Sequence, residues 1–274
     1  MQVDTSIPSL VIDASYYIFH RYYATLRWYS FQTKDADKNP NITKDPVFAA
    51  AFVKHVTQDL KKWRKEHNVR SGNVYFCFDC PRNEIWRNEH HDQYKGTRVQ
   101  AQSFDGNVFP LFYEWFDKNK TAEGVESLFV PSLEADDVAY LSAMAITQLD
   151  PSAHVIVLTN DGDYLQMRSD RIKIVNAQGM DLSKRSIGTP QQDLIYKIVL
   201  GDPSDNIKPI CNRLGASMGK KLALMSEEER WAWIQKKGET CEEAYRRNER
   251  LISFLHIPQC HVERWREIYT WHKK

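Results

Sequence analysis

Three short apolar runs, each ending at an aspartate or at a turn that carries one, constrain this chain more than any other feature. They are Ser9-Leu10-Val11-Ile12 before Asp13, Val74-Tyr75-Phe76-Cys77-Phe78 before Asp79, and Val155-Ile156-Val157-Leu158 before Asp161. Runs this continuous in Val, Ile, Leu and Phe predict strands buried on both faces, and hence a parallel sheet. Helical periodicity over about 14–28, 46–66 and 135–148 separates them, which predicts an α/β fold with a central, mostly parallel sheet. Sites in such sheets form in the crevice beyond the carboxyl ends of the strands. Three aspartates at three strand ends therefore point to one crevice.

The net charge of +1 hides an uneven distribution. Residues 121–170 carry nine Asp/Glu against a single Lys/Arg, Arg168, whereas residues 205–274 carry fourteen Lys/Arg against ten Asp/Glu. An acidic middle repels phosphate unless cations bind there, so the asymmetry hints at metal chemistry beside a weakly basic surface. The further acids sit at turns: Glu134-x-Asp136-Asp137, Asp161-Gly162-Asp163 and Asp202-x-x-Asp205. The first group falls in the opening turn of a helix, where the positive end of the dipole offsets crowded negative charge. Gly162 lets the chain turn after its strand, and the three-residue spacing puts Asp202 and Asp205 on one face of a helical turn.

So many carboxylates in one crevice cannot all stay ionised without cations. A donor set of oxygens alone suits Mg²⁺ or Mn²⁺ rather than zinc. Two such ions about 4 Å apart would activate a water and stabilise the leaving oxygen of a phosphodiester. The competing reading makes each acid a helix cap or a solvated surface charge. That reading is reasonable for any one of them and weak for all nine together.

The length of 274 residues allows one large domain, or one domain with a smaller appendage. No apolar run of about 18 residues is present and the N-terminus lacks a secretory pattern, so the chain is expected inside the cell and away from membranes. Five scattered cysteines fit a reducing compartment. Cys77 and Cys80 form a CxxC that could suggest zinc. With no second ligand pair at suitable spacing, and with Cys77 inside an apolar run, buried core cysteine is the better reading. Residues 82–120 are charged and aromatic without a strand signal and read as helices or a mobile loop over the site. Within them Phe104, Phe109, Phe112, Tyr113, Trp115 and Phe116 read as packing residues. Residues 34–46 are the most loop-like stretch. From about 190 the chain reads as helical, broken at 201–206, at 208–219 and around Pro258.

The ordered motifs VIDAS with Asp13, FCFDC with Asp79, QYKGTR (93–98), LEADDVA (133–139), TNDGDYLQM (159–167) and GDPSDNI (201–207) resemble those of the 5′ nucleases. That family includes flap endonucleases, phage 5′ exonucleases and the 5′ nuclease domains of bacterial DNA polymerases. The resemblance spans about residues 10–225. It implies a PIN-like three-layer core over 1–189 with a helical arch at about 82–120. A helix–turn–helix-type region over 190–274 would complete the site and bind DNA. It also implies metal-dependent phosphodiester hydrolysis. Asp79, Glu134 and Asp136 would bind one ion, with Asp13 nearby acting through water; Asp161, Asp163, Asp202 and Asp205 would form the second cluster, and Asp137 would lie near both.

By the same resemblance, Lys95 and Arg98 stand at the base of the arch and reach the scissile phosphate, where two fixed cations can stabilise developing charge. Tyr94 would stack on an unpaired terminal base; the plainer reading of this segment is an exposed basic turn with a packed tyrosine. Arg82 and Arg87 either face DNA or lie on a solvated helix face. The match loosens between Ile207 and Ala223. The close glycine pairs that seat a monovalent cation in the family are missing there, while Gly215, Gly219, Lys220 and Lys221 remain as phosphate contacts. No sliding-clamp tail follows the last helix, and a monomer is expected. The expected activity is 5′-3′ exonuclease and 5′-flap endonuclease in primer removal or repair, with DNA bearing a 5′ end or flap as partner. The rivals are a PIN-type ribonuclease and a non-catalytic structure-specific DNA-binding protein.

Overall fold

After a two-residue strand, β1 (Gln2–Val3), the first apolar run forms β2 (Ser9–Asp13) at the centre of a five-stranded sheet. The other two runs flank it as β3 (Val74–Cys77) and β5 (Val155–Leu158), and all pairings are parallel. The edges are β4 (Val125–Leu128) and β6 (Ile172–Val175). The computed structural model describes residues 1–33, 39, 41–98 and 104–274. Part of the loop expected at 34–46 and the middle of the expected arch, 99–103, thus lie outside the described residues.

Period-two alternation divides the sheet into two faces. Leu10, Ile12, Val74 and Phe76 join a core built with α1 (Ala14–Ser30), α2 (Pro46–His67) and α3 (Val108–Glu123). Val11, Tyr75, Val155 and Val157 face the other way, onto α4 (Ala135–Leu149). Helix–sheet–helix layering follows from strands that are apolar on both faces. Residues 190–252 form the helices α5 (Pro190–Leu200), α6 (Ala216–Leu224), α7 (Glu227–Lys237) and α8 (Glu239–Ile252), which share a third apolar cluster. Cys80, Ile85 and Tyr94 insert into that cluster and tie the helices to the segment after β3. The chain then returns to the α4 side of the sheet: Trp265 of α9 (Gln259–Ile268) and Trp271 pack in that core, and β7 (His272–Lys273) pairs with β1.

The helices expected at 14–28, 46–66 and 135–148 are α1, α2 and α4, within three residues at each end. Residues 82–98 hold two short 3₁₀ turns, Arg82–Glu84 and Trp86–Glu89, and α3 packs on the sheet through Phe112, Trp115 and Phe116. The cysteines need one correction. Cys77 is buried as expected, but Cys211 and Cys241 are joined by a disulfide with 5.5 Å between their Cα atoms, linking the segment before α6 to α8. Among the described residues, no helix is long and apolar enough to cross a membrane.

Candidate active site

Strand register brings the aspartates together before any side chain is considered. Asp13 is level with Cys77, two residues before Asp79, and Ile12 is level with Leu158, three residues before Asp161. Asp13 also caps α1, accepting from the Tyr16 N–H at 3.0 Å and from the hydroxyls of Thr159 and Tyr164 at 3.2 Å each. Burial, together with Asp79 and Asp161 nearby, pushes its pKa up to about 7. Asp79 accepts from Ser15 and from the N–H of Ala135 at 2.8 Å, so it pins the start of α4 to the end of β3. That start carries Glu134 as the N-cap, with Asp136 and Asp137 in the first turn, as the spacing predicts. Asp161 accepts from the Asp163 N–H at 2.9 Å across Gly162.

Glu134, Asp136 and Asp137 each offer an oxygen within 4.8 Å of the others, close enough to share an ion. Asp137, however, is fully buried and already bound on both oxygens. Arg87 reaches them at 2.8 and 2.7 Å, Trp86 donates its indole N–H at 2.9 Å, and the Glu134 N–H donates at 3.2 Å. Asp137 is therefore a clamp on the α4 start rather than a free ligand. Arg87, 1% exposed, also holds Glu134 at 2.9 Å and donates to the Leu251 carbonyl at 2.7 Å. It faces neither DNA nor solvent, unlike Arg82, which lines the cavity. Burial alone would lower the guanidinium pKa; Asp137 and the neighbouring acids outweigh it and hold Arg87 charged.

Tyr94 corrects the stacking expectation. The residue is only 6% exposed, and its hydroxyl lies 3.0 Å from Glu134 and 2.9 Å from Asp205. No face is open to a base, and burial raises the phenol pKa so that it remains a donor. Lys95 follows with φ of 55°, its N–H donating to the Asp205 carbonyl at 3.0 Å and its ammonium against Glu134. Burial opposes the ammonium charge, but Glu134 and Asp205 prevail and raise its pKa. Arg98 pairs with Asp205 and donates to the Ser204 carbonyl at 3.0 Å. Asp205 thus sits beside Glu134, Tyr94, Lys95 and Arg98, and does not join Asp161 and Asp163 as the resemblance implied.

Lys197 on α5, not singled out in the sequence, holds the other cluster. Its ammonium stands 2.7 Å from an oxygen of Asp163 and 2.7 Å from an oxygen of Asp202. Burial opposes this charge too, and the two acids override it. Asp163 is raised to about 7 by burial and by Asp161, against the pull of Lys197. Lys197 precedes Asp202 by five residues, and a Lys one turn before GDPSDN was the available signal.

All these groups surround a cavity of about 1010 Å³. Asp13, Asp79, Glu134, Asp136, Asp161 and Asp202 line it, with Lys95, Arg98 and Lys197 among them. Asp137, Asp163 and Asp205 stand behind, each held by a cation. Phe19 of α1 also lines the cavity and is 37% exposed, so it offers the aromatic face that Tyr94 does not. On the α6 side, Gly215, Lys220 and Lys221 are exposed, whereas Gly219 is buried. A side chain at Gly219 would meet Leu200 at 2.8 Å, so its smallness serves the packing of α6 on α5 and not a phosphate contact.

The family model of the 5'-3' exonuclease N-terminal, resolvase-like domain matches residues 8–193, more than half of the chain. The chain belongs to the 5′-3′ exonuclease family. It is 30% identical over 184 residues to the thermostable DNA polymerase I of Thermus thermophilus, 65% of this chain and 20% of that protein. It is 23% identical over 207 residues to the 5'-3' exonuclease of Buchnera aphidicola, 73% of this chain and 64% of the relative. This 5′-3′ exonuclease family member therefore spans only about a fifth of the polymerase relatives. In fold it is similar to the T5 D15 protein co-crystallised with metal ions, at TM-score 0.64 and 17% identity, covering 95% of this chain and 97% of that one. The bacteriophage T5 D15 flap endonuclease in complex with DNA and metal ions gives 0.61 at 16% identity, covering 95% and 97%.

Proposed function

We propose that this chain is a divalent-metal-dependent 5′ nuclease that hydrolyses DNA phosphodiesters beside a 5′ end or 5′ flap, in primer removal or repair. The observation that carries the reading is the convergence of six carboxylates and four cationic side chains, Arg82, Lys95, Arg98 and Lys197, on one open cavity at the carboxyl edge of the sheet. The donor set fits the implied ions. It is all carboxylate oxygen, as Mg²⁺ and Mn²⁺ prefer. In addition, Lys95 and Lys197 sit among the acids as internal counter-charges, showing where positive charge is required. Asp79, Glu134, Asp136 and Asp13 would hold one ion, and Asp161 and Asp202 a second, with Asp163 held behind them by Lys197. Bound there, the ions would supply Lewis acidity for hydrolysis.

The chain's own residues do the rest. Lys95 and Arg98 present fixed positive charge to a phosphate entering the cavity, and charge placed in advance costs no reorganisation during reaction. Arg87 and Asp137 hold Glu134 in position from behind. Phe19 offers a ring on which an unpaired base can stack. Lys220, Lys221 and the first turn of α6 provide phosphate contacts on the duplex side. The reading is tested with Asp161→Ala: binding of a 5′-flap duplex should persist while Mg²⁺-dependent cleavage falls by at least about 100-fold, in line with loss of an electrostatic element of a catalytic site. Near-normal cleavage by that variant would overturn the metal assignment.

A further inference from the structure

A second hollow opens beside the carboxylate cavity, at the β4 edge of the sheet, and the reaction proposed above does not use it. It measures about 650 Å³, and its walls are aromatic: Phe78, Phe109, Tyr113, Phe116 and Phe129. The two spaces are continuous, because Ser15, Asp79, Cys80 and Phe109 line both. Tyr113 and Phe129 are 43% and 41% exposed, an unusual setting for such large apolar side chains grouped together. Both are nonetheless held in place. Tyr113 lies edge-on to Phe78, with ring centroids 5.7 Å apart, and 6.3 Å from Phe109. The Phe129 backbone is fixed by the Tyr269 hydroxyl, which accepts from its N–H at 2.7 Å and donates to its carbonyl at 3.1 Å.

Charge selects the occupant. Among the described residues, no Lys or Arg lines this hollow, and its ionisable groups include the acids Asp79 and Asp117. With Asp117 in its wall and no cationic side chain, the hollow itself offers a phosphate no partner. A nucleobase fits, because its π-faces match the aromatic walls and its N–H groups can donate to Asp117 or Ser127 at the rim. We propose that the hollow is a nucleobase subsite. It receives the base of a nucleotide adjoining the scissile phosphodiester while that phosphodiester lies among the carboxylates. The proposal rests on the nuclease reading and adds where an adjacent base goes.

The test is a cycle of kcat/KM values for 5′-flap DNA in Mg²⁺. Wild type and Tyr113→Leu/Phe129→Leu are each measured on intact substrate and on substrates abasic at either nucleotide flanking the cut. Leucine keeps apolar bulk and removes the aromatic face. At one of the two positions the abasic change should lower wild-type kcat/KM by about ten-fold, the scale of one base–aromatic stack. The double variant should lose a similar factor on intact DNA and show no further loss on the abasic substrate. Losses that multiply, or no abasic penalty in the wild type, would overturn the subsite and leave the nuclease reading standing. A wild type that cleaves no flap substrate would instead remove the nuclease reading. Should the double variant fail to fold, Tyr113→Leu alone, on an exposed helix face, carries the same cycle.

Discussion

Replacing Arg87 with methionine removes the cation that joins three parts of the chain. Arg87 holds both oxygens of Asp137 at 2.7 and 2.8 Å, Glu134 at 2.9 Å and the Leu251 carbonyl at 2.7 Å. Methionine fills much of the same volume, so the loss is mainly electrostatic: Asp137, with no solvent exposure, keeps only the indole of Trp86 and a backbone N–H. Removing one partner of a buried pair costs about 3–5 kcal/mol. In a protein near this size, 1 kcal/mol moves the melting midpoint by about 2–4 °C, so Arg87→Met should melt about 10 °C lower. The assay is thermal or urea unfolding of the wild type, Arg87→Met, Asp137→Leu and the double variant. If the charges matter chiefly to each other, the double variant recovers at least about 2 kcal/mol relative to Arg87→Met. A single variant that loses under about 1 kcal/mol, or losses that add in the double, would refute the clamp.

Tyr94→Phe keeps the packed ring and removes only the hydroxyl between Glu134 and Asp205. It should cost about 1.5 kcal/mol in unfolding experiments and leave flap affinity within about two-fold, whereas a stacking role would show itself in Tyr94→Leu as a large loss of affinity. Asp13 and Asp163, raised by burial and neighbouring acids to about 7 from the ordinary carboxylate range, hold protons in the folded state that the unfolded chain releases. Their contribution is thus present below about pH 4 and lost as pH rises towards 7. In EDTA, Asp13→Asn/Asp163→Asn should flatten the fall of the melting midpoint over that window; an unchanged slope would contradict the assignment.

Legibility in the sequence followed burial. The central strands β2, β3 and β5 have apolar residues on both faces and could be read directly. β4 is Val-Glu-Ser-Leu, with its two middle residues exposed, and β6 is interrupted by the exposed Lys173; both are edge strands whose sequences carry no continuous run. The carboxylates were legible because strand ends and a helix start fix where they sit. Which way each one turns depends on cations far away in sequence. Arg87 reaches Asp137 from another loop, and Lys197 draws Asp163 and Asp202 together. Asp205 turns to Tyr94 and Arg98, over a hundred residues earlier. Local spacing carries none of that information, so the metal-facing acids could not be separated from the clamped ones. Gly219 shows the same limit, since its role appears only once α6 lies against Leu200.

The most direct test of the central claim measures cleavage of a 5′-flap duplex, a blunt duplex and single-stranded RNA side by side, with Mg²⁺ and with EDTA. Mg²⁺-dependent cutting of the flap duplex near its junction is expected, faster than either other substrate, with none in EDTA. Faster cutting of single-stranded RNA, or flap cleavage that survives EDTA, would contradict it.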